Sequence, residues 1–212
     1  MSNARNLANL LGTNTLIQPS NLNLAANYAF TGTVTGAGAM ELISSDATGA
    51  SNVAYTDVTL SQSTDYHHQI LVLNGYYHND STLRDMAWFT IEGGSFVNAT
   101  NSYYDHRIGR KYGVSTDGSG SMGTTQMRFN WYSIGNSTGE MVDVYMKIFN
   151  APSSSLRTTF HAEVNGFSGD GNIMTNFANS IRSSAAVCEG IRMGAGAGNM
   201  SYSSYALYGV KK

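Results

Sequence analysis

Between Met141 and Phe149 the chain alternates strictly: Val142, Val144, Met146 and Ile148 fall on one side, Asp143, Tyr145 and Lys147 on the other. A period of two belongs to an extended strand with one face in a core and one toward water or a neighbour. Arg157–Asn165 repeats it, with Phe160, Ala162 and Val164 inward and Thr159, His161 and Glu163 outward. Gln126–Tyr132 places Met127, Phe129 and Trp131 inward and Gln126, Arg128 and Asn130 outward, which makes Trp131 a core residue. Ile70–Leu73 is apolar on both faces, so it belongs in the middle of a sheet or at a subunit contact. Further strands are expected over Ala39–Ile43, Ala54–Leu60, Asp85–Ile91, Tyr103–Val114, Val187–Met193 and Tyr202–Val210.

Turn-forming clusters separate these runs: Ser44–Asn52, Asn79–Thr82, Gly93–Asn101, Thr116–Gly123, Gly135–Gly139 and Gly166–Gly171. About ten short strands at this spacing, without alternating helices, predict an all-β antiparallel sandwich of jelly-roll type. Asn172–Arg182 fits a helix face through Ile173, Phe177 and Ile181 as well as a bent strand. Its β surroundings favour strand, then loop. The 212 residues suffice for a self-standing core, since a chain of this size buries roughly 70% of its unfolded surface.

Charge removes several functions. Only 12% of residues are charged, against roughly 25% in ordinary domains, and the net charge is −2. Disorder normally combines low hydrophobicity with high net charge, so it is not expected. Twelve basic residues against fourteen acidic ones leave no excess for a phosphate backbone, and nucleic acid is not an expected partner. Cys188 stands alone, so it forms neither an internal disulfide nor a cysteine-rich zinc site, and it reads as a small buried apolar residue. No apolar run approaches eighteen residues, and membrane insertion is not expected. The opening MSNARNLANLLG lacks the basic start, apolar stretch and cleavage site of a secretory signal. Synthesis in a cytoplasm without classical export is therefore expected.

The first residues follow a different rule. Ser2 can cap a helix in which Ala4, Leu7, Ala8 and Leu11 share a face, and Gly12 can stop it. At about nine residues such a helix is marginal alone in water and needs a surface to lie against. Thr13–Asn27 is polar and Asn-rich around Pro19, and reads as an extended arm. The chain thus divides into a docking helix and arm over 1–27 and a β domain over 28–212.

Chemistry-bearing motifs are weak. Gly118-Ser-Gly120-Ser-Met-Gly123 has dinucleotide-loop spacing, but an alternating strand follows instead of a helix, so it reads as a Gly/Ser loop. His67, His68, His78, His106 and His161 include no pair at helical zinc spacing, and no metal or cofactor is expected. No strained G-x-S-x-G elbow is present. Asp143 and Glu163 face outward and can converge if their strands pair, which keeps a polysaccharide depolymerase as an alternative of another class. Four sequons, beginning at Asn79, Asn98, Asn136 and Asn199, reflect loop composition. Tyr76, Tyr77, Trp88, Tyr103 and Tyr104 are candidate glycan contacts, because an aromatic ring with a polar tip suits partly wet stacking. Of adjacent pairs such as Tyr76–Tyr77, one member belongs to the core.

Both ends carry a resemblance. Ala4-Arg-Asn-Leu-Ala-Asn-Leu-Leu-Gly12 resembles the amino-terminal ARNLA-LLG signature of tail-fibre and related virion proteins of marine bacteriophages. Phe30–Gly36 is similar to the GTVTG stretches that follow it. Gly190-Ile-Arg-Met193, Gly198–Ser201 and Ala206-Leu-Tyr-Gly-Val-Lys211 resemble the closing jelly-roll strands of those proteins, and Tyr66 with Ile70–Asn74 an early strand pair. Met200 and Ser201–Ser204 depart from the pattern, which often has a second glycine there, and no collagen-like or coiled-coil shaft is recognisable.

The resemblance implies a virion structural protein, made in a host bacterium's cytoplasm and working in the particle. It would be a short tail fibre or tail-associated protein, or alternatively a capsid decoration or head-fibre protein. Ala4, Arg5, Leu7, Ala8, Leu10 and Leu11 would anchor it to other virion proteins. A homotrimer is implied too; the residues alone argue only for a homo-oligomer. Host attachment would use distal loops at 79–82, 93–101 and 116–123 on a surface glycan.

Overall fold

The computed structural model describes residues 40–79, 85–113, 117–130, 132–136 and 139–212, without the side chains of 117–122. The expected helix and arm over 1–27, the anchor residues Ala4, Arg5, Leu7, Ala8, Leu10 and Leu11, and Trp131 lie outside the described residues.

Every regular element among the described residues is a strand. In chain order these are β1 (Met40–Asp46), β2 (Ala50–Val53), β3 (Tyr55–Thr59), β4 (Tyr66–His78), β5 (Phe89–Glu92), β6 (Ser95–Phe96) and β7 (Tyr103–Lys111). They continue as β8 (Asp117–Thr124), β9 (Val142–Phe149), β10 (Thr159–Phe167), β11 (Ile173–Arg182), β12 (Gly190–Gly194), β13 (Met200–Tyr202) and β14 (Ser204–Lys211). A long antiparallel sheet runs β1-β14-β4-β9-β10-β11-β7-β8, with β13 bridging β2 and β4. A short antiparallel sheet runs β3-β12-β5-β6.

The alternating runs behave as their period requires. On β9, Val142, Val144, Met146 and Ile148 are buried while Asp143, Tyr145 and Lys147 are exposed, and on β10 Phe160, Ala162 and Val164 are buried. β4, with its doubly apolar Ile70–Leu73, lies between β14 and β9. Leu71 and Leu73 enter the core, while Ile70 and Val72 take the opposite face.

Side chains of both sheets meet in one core, a sandwich-like arrangement. Val58, Ile191 and Met193 of the short sheet join Leu71, Val144, Met146 and Phe160 of the long one. Trp88 lies at the middle, edge-on to Phe129 at 5.3 Å and to Tyr76 at 6.4 Å. The Tyr76 hydroxyl donates to the Gly194 carbonyl at 2.9 Å and so ties β4 to β12. Each large side chain buried here contributes about 1.5–3 kcal/mol.

Three expectations are corrected. The described residues of the Gln126–Tyr132 run are not a strand but irregular, with an isolated bridge from Met127 to Trp88. Met127 and Phe129 are buried as expected, but so is Asn130, which was placed outward. Its side-chain oxygen accepts from the Met86 N–H at 2.8 Å and its amide donates to the Tyr132 carbonyl at 2.9 Å. Those bonds replace water and make the burial tolerable.

The Gly/Ser stretch at 116–123 is not a loop. β8 occupies Asp117–Thr124 and pairs with β7 from Tyr103↔Thr124 to Gly109↔Asp117. A strand ladder is made of backbone groups, which glycine and serine supply as well as any residue. Of the Asn172–Arg182 run, Ile173–Arg182 is strand to its end, not strand then loop. β11 pairs on both sides, with β10 and β7, and buries Met174, Asn176, Ala178, Ser180 and Arg182. Its polar inward positions concealed the alternation, because a charged or hydroxyl group at every second residue reads as solvent-facing.

Candidate functional site

The short sheet turns an outer face to solvent, and its residues are set by simple alternation. On β3, Val58 enters the core, so Tyr55, Asp57 and Thr59 point outward. On β12, Ile191 and Met193 are core, which leaves Arg192 outward between Gly190 and Gly194. Register places Arg192 opposite Asp57 on one side and Phe89 on the other. Phe96 arrives on β6 through the two-residue turn Gly93-Gly94, whose φ values of 56° and 74° fit the left-handed hairpin turn that glycine favours.

These residues form one assembly. The Arg192 guanidinium lies 3.8 Å from the centre of the Tyr55 ring and 4.5 Å from that of Phe96. Its Nε and Nη2 donate to the two oxygens of Asp57, each at 2.8 Å. Phe96 meets Phe89 edge-on at 5.5 Å. The hydrogen bonds that Arg192 donates to Asp57 raise its pKa further, so the cation is permanent. Tyr55 and Phe96 remain 51% and 40% exposed. The result is a planar cation between two exposed rings, with a carboxylate beside it.

A buried network holds the platform from below. Arg182 reaches from β11 to Glu92, the residue before the turn, through Nε at 2.5 Å and Nη2 at 2.9 Å. Its Nη1 donates to the Ser102 carbonyl at 2.6 Å, and its guanidinium lies over the Tyr103 ring at 5.2 Å. The Tyr103 hydroxyl donates to the Val97 carbonyl at 2.7 Å and accepts from the Thr90 N–H at 2.9 Å. Burial opposes the Arg182 charge, but the Glu92 carboxylate more than offsets this and holds its pKa above the ordinary value. The Gly94 N–H donates to Glu189 at 2.8 Å, which pins the tip of the hairpin.

The expected glycan contacts fare differently from one another. Tyr76, Trp88 and Tyr103 are wholly buried and offer no ring to a ligand; stacking on these three is ruled out by the core they fill. Tyr77 is half-buried on β4, and Tyr104 is exposed on the outer face of the long sheet beside Arg157. The structure does not bring the five together. Asp143 and Glu163 do lie on paired strands and the same face, one step apart diagonally. Asp143 accepts the Gly75 N–H at 2.8 Å and Glu163 accepts from Asn165 at 2.8 Å. Cys188 is buried, as expected.

Sequence reasoning missed Tyr55, Arg192 and Phe96. The alternation of Tyr55–Thr59 sets Tyr55 and Asp57 on one face, and Gly190-Ile-Arg-Met-Gly194 marks Arg192 as the outward residue between two apolar ones. What no local pattern shows is that β3 pairs with β12 and that Phe96 on β6 reaches Arg192 across β5. Comparison of the chain with protein-family models, with curated proteins and with solved structures finds no match.

Proposed function

We propose that this chain is a bacteriophage virion structural protein, a short tail fibre or tail-associated component whose jelly-roll-type sandwich binds a host-surface glycan without covalent chemistry. The platform of Tyr55, Arg192 and Phe96 is the observation that carries the reading. A pyranose ring presents C–H groups to an aromatic face and hydroxyls to a guanidinium or carboxylate, and both kinds of group lie side by side here. Phe96 belongs to the 93–101 segment expected to face the host, and the Arg182–Glu92 pair fixes the hairpin that carries it. The terminal motifs supply the virion reading, with residues 1–27 as attachment segment and the chain acting as a homo-oligomer. Many copies on one particle make individually weak contacts collectively tight.

The test is binding of the full chain to surface polysaccharide purified from the host bacterium. Arg192→Ala and the Tyr55→Ala, Phe96→Ala pair are expected to weaken binding at least about tenfold, equivalent to about 1.4 kcal/mol, with circular dichroism unchanged. Polysaccharide chain length stays the same throughout. Binding by the wild type that neither variant affects removes the platform, and shortening of the polysaccharide removes the non-catalytic reading.

A further inference from the structure

The outer face of the long sheet breaks the rule that an antiparallel sheet turns polar residues to water. One cross-strand row runs Ala206, Val72, Tyr145, Glu163, Phe177, Ile108 over β14, β4, β9, β10, β11 and β7. Phe177, Ile108 and Tyr145 are 55%, 42% and 41% exposed. The next row runs Tyr208, Ile70, Lys147, His161, Asn179, His106, and Leu42 extends it, exposed, on β1. In a third, His68 lies tilted against Phe149 at 5.0 Å between ring centres, and Phe149 meets His161 of the second row edge-on at 5.3 Å.

We infer that this face binds a second copy of the same chain. Seven strands at about 4.8 Å spacing and about nine residues at 3.4 Å rise make a plate on the order of 1,000 Å². A stable interface takes about 800 Å² from each partner, so the face is large enough for one, and the apolar row crosses it from β14 to β7 between polar rows. Charge points to self-association as well. Lys147 and Glu163 are the two acidic or basic side chains, histidines aside, in the first two rows, diagonal neighbours on β9 and β10, and neither belongs to an ion pair within the described residues. In a two-fold contact the same patch meets itself, so each Lys147 is offered a Glu163 of the other copy. Between Tyr145 and Phe177, over Glu163, lies an open depression of about 330 Å³ that can receive a side chain of that copy.

This inference rests on the oligomeric part of the reading above and is independent of glycan binding. Sedimentation equilibrium of the full chain tests it, beside Phe177→Glu and Ile108→Lys, with Tyr55→Ser on the other sheet as control. The wild type and Tyr55→Ser are expected to associate, and both face variants to associate at least about tenfold more weakly at unchanged circular dichroism. Hydroxyl-radical footprinting of the wild type, which needs no variant to fold, is expected to show Tyr145 and Phe177 gaining reactivity on dilution. A wild type that stays monomeric removes the oligomeric reading itself. An oligomer unaffected by either variant, or with Tyr145 and Phe177 equally reactive at all concentrations, leaves that reading standing and overturns the assignment to this face.

Discussion

Asp105 shows how individual side chains decide the behaviour of the β7–β11 pair. Burial pushes its carboxyl above the usual range, against hydrogen bonds from Ser180 at 2.5 Å and Thr124 at 3.2 Å. A carboxyl whose folded pKa exceeds its unfolded value stabilises fully below about pH 3.9 and loses that contribution as pH rises through the folded value. Asp105→Asn removes the titration while keeping the shape. Its unfolding free energy relative to the wild type is therefore expected to improve from pH 4 to pH 7, measured by urea denaturation at each pH. A difference independent of pH contradicts the burial argument. Cys188 makes a second residue-scale case: burial, with Glu92 nearby, pushes its thiol up to about 12. At pH 8 it is expected to react with a thiol reagent far more slowly in the native protein than after denaturation. Arg182→Met leaves the half-buried Glu92 with the Thr90 hydroxyl but without its cation, and a loss of about 1–3 kcal/mol is expected in the same denaturation assay.

The β5–β6 hairpin is the element on which the platform depends. Both turn residues have positive φ, so Gly93→Asn, which tolerates that region, is expected to keep both stability and polysaccharide binding. Gly93→Val costs about 1–2 kcal/mol and loosens Phe96, so binding falls as the melting temperature does. Equal behaviour of the two variants contradicts a strict turn. Elements were legible in the sequence where one face is apolar and the other polar, as on β9 and β10. They were not legible where the inward side is itself polar. β11 buries Asn176, Ser180 and Arg182, and β8 is built of glycine and serine beside β7, so neither announces itself by hydrophobic period. Gln126–Tyr132 misled in the opposite sense, because Met127 and Phe129 fill the core from described residues that belong to no strand. Asn130 is buried there by hydrogen bonds that composition cannot reveal.

At the scale of the molecule, the two sheets present outer faces of different chemistry. The short sheet carries a cation held between rings, and the long sheet carries a row of apolar and aromatic side chains with Lys147 and Glu163 at its centre. Sequence alternation identified many of the outward residues singly. It could not show that Tyr55, Arg192 and Phe96 converge, or that Tyr145, Phe177 and Ile108 align, since those are facts of strand order. Tyr76 and Tyr103, candidate glycan contacts in the sequence, lie in the core because an aromatic residue with a polar tip suits a buried hydrogen bond as well as a wet one. The central claim is that this β body is an outward-facing, non-enzymatic part of a phage particle. Cryo-electron microscopy of particles produced with and without the chain tests it most directly. The account predicts outward density present only in the first preparation, fitted by residues 40–212 with the short sheet facing away from the particle. Identical particles in both preparations, with the chain missing from their protein content, contradict it.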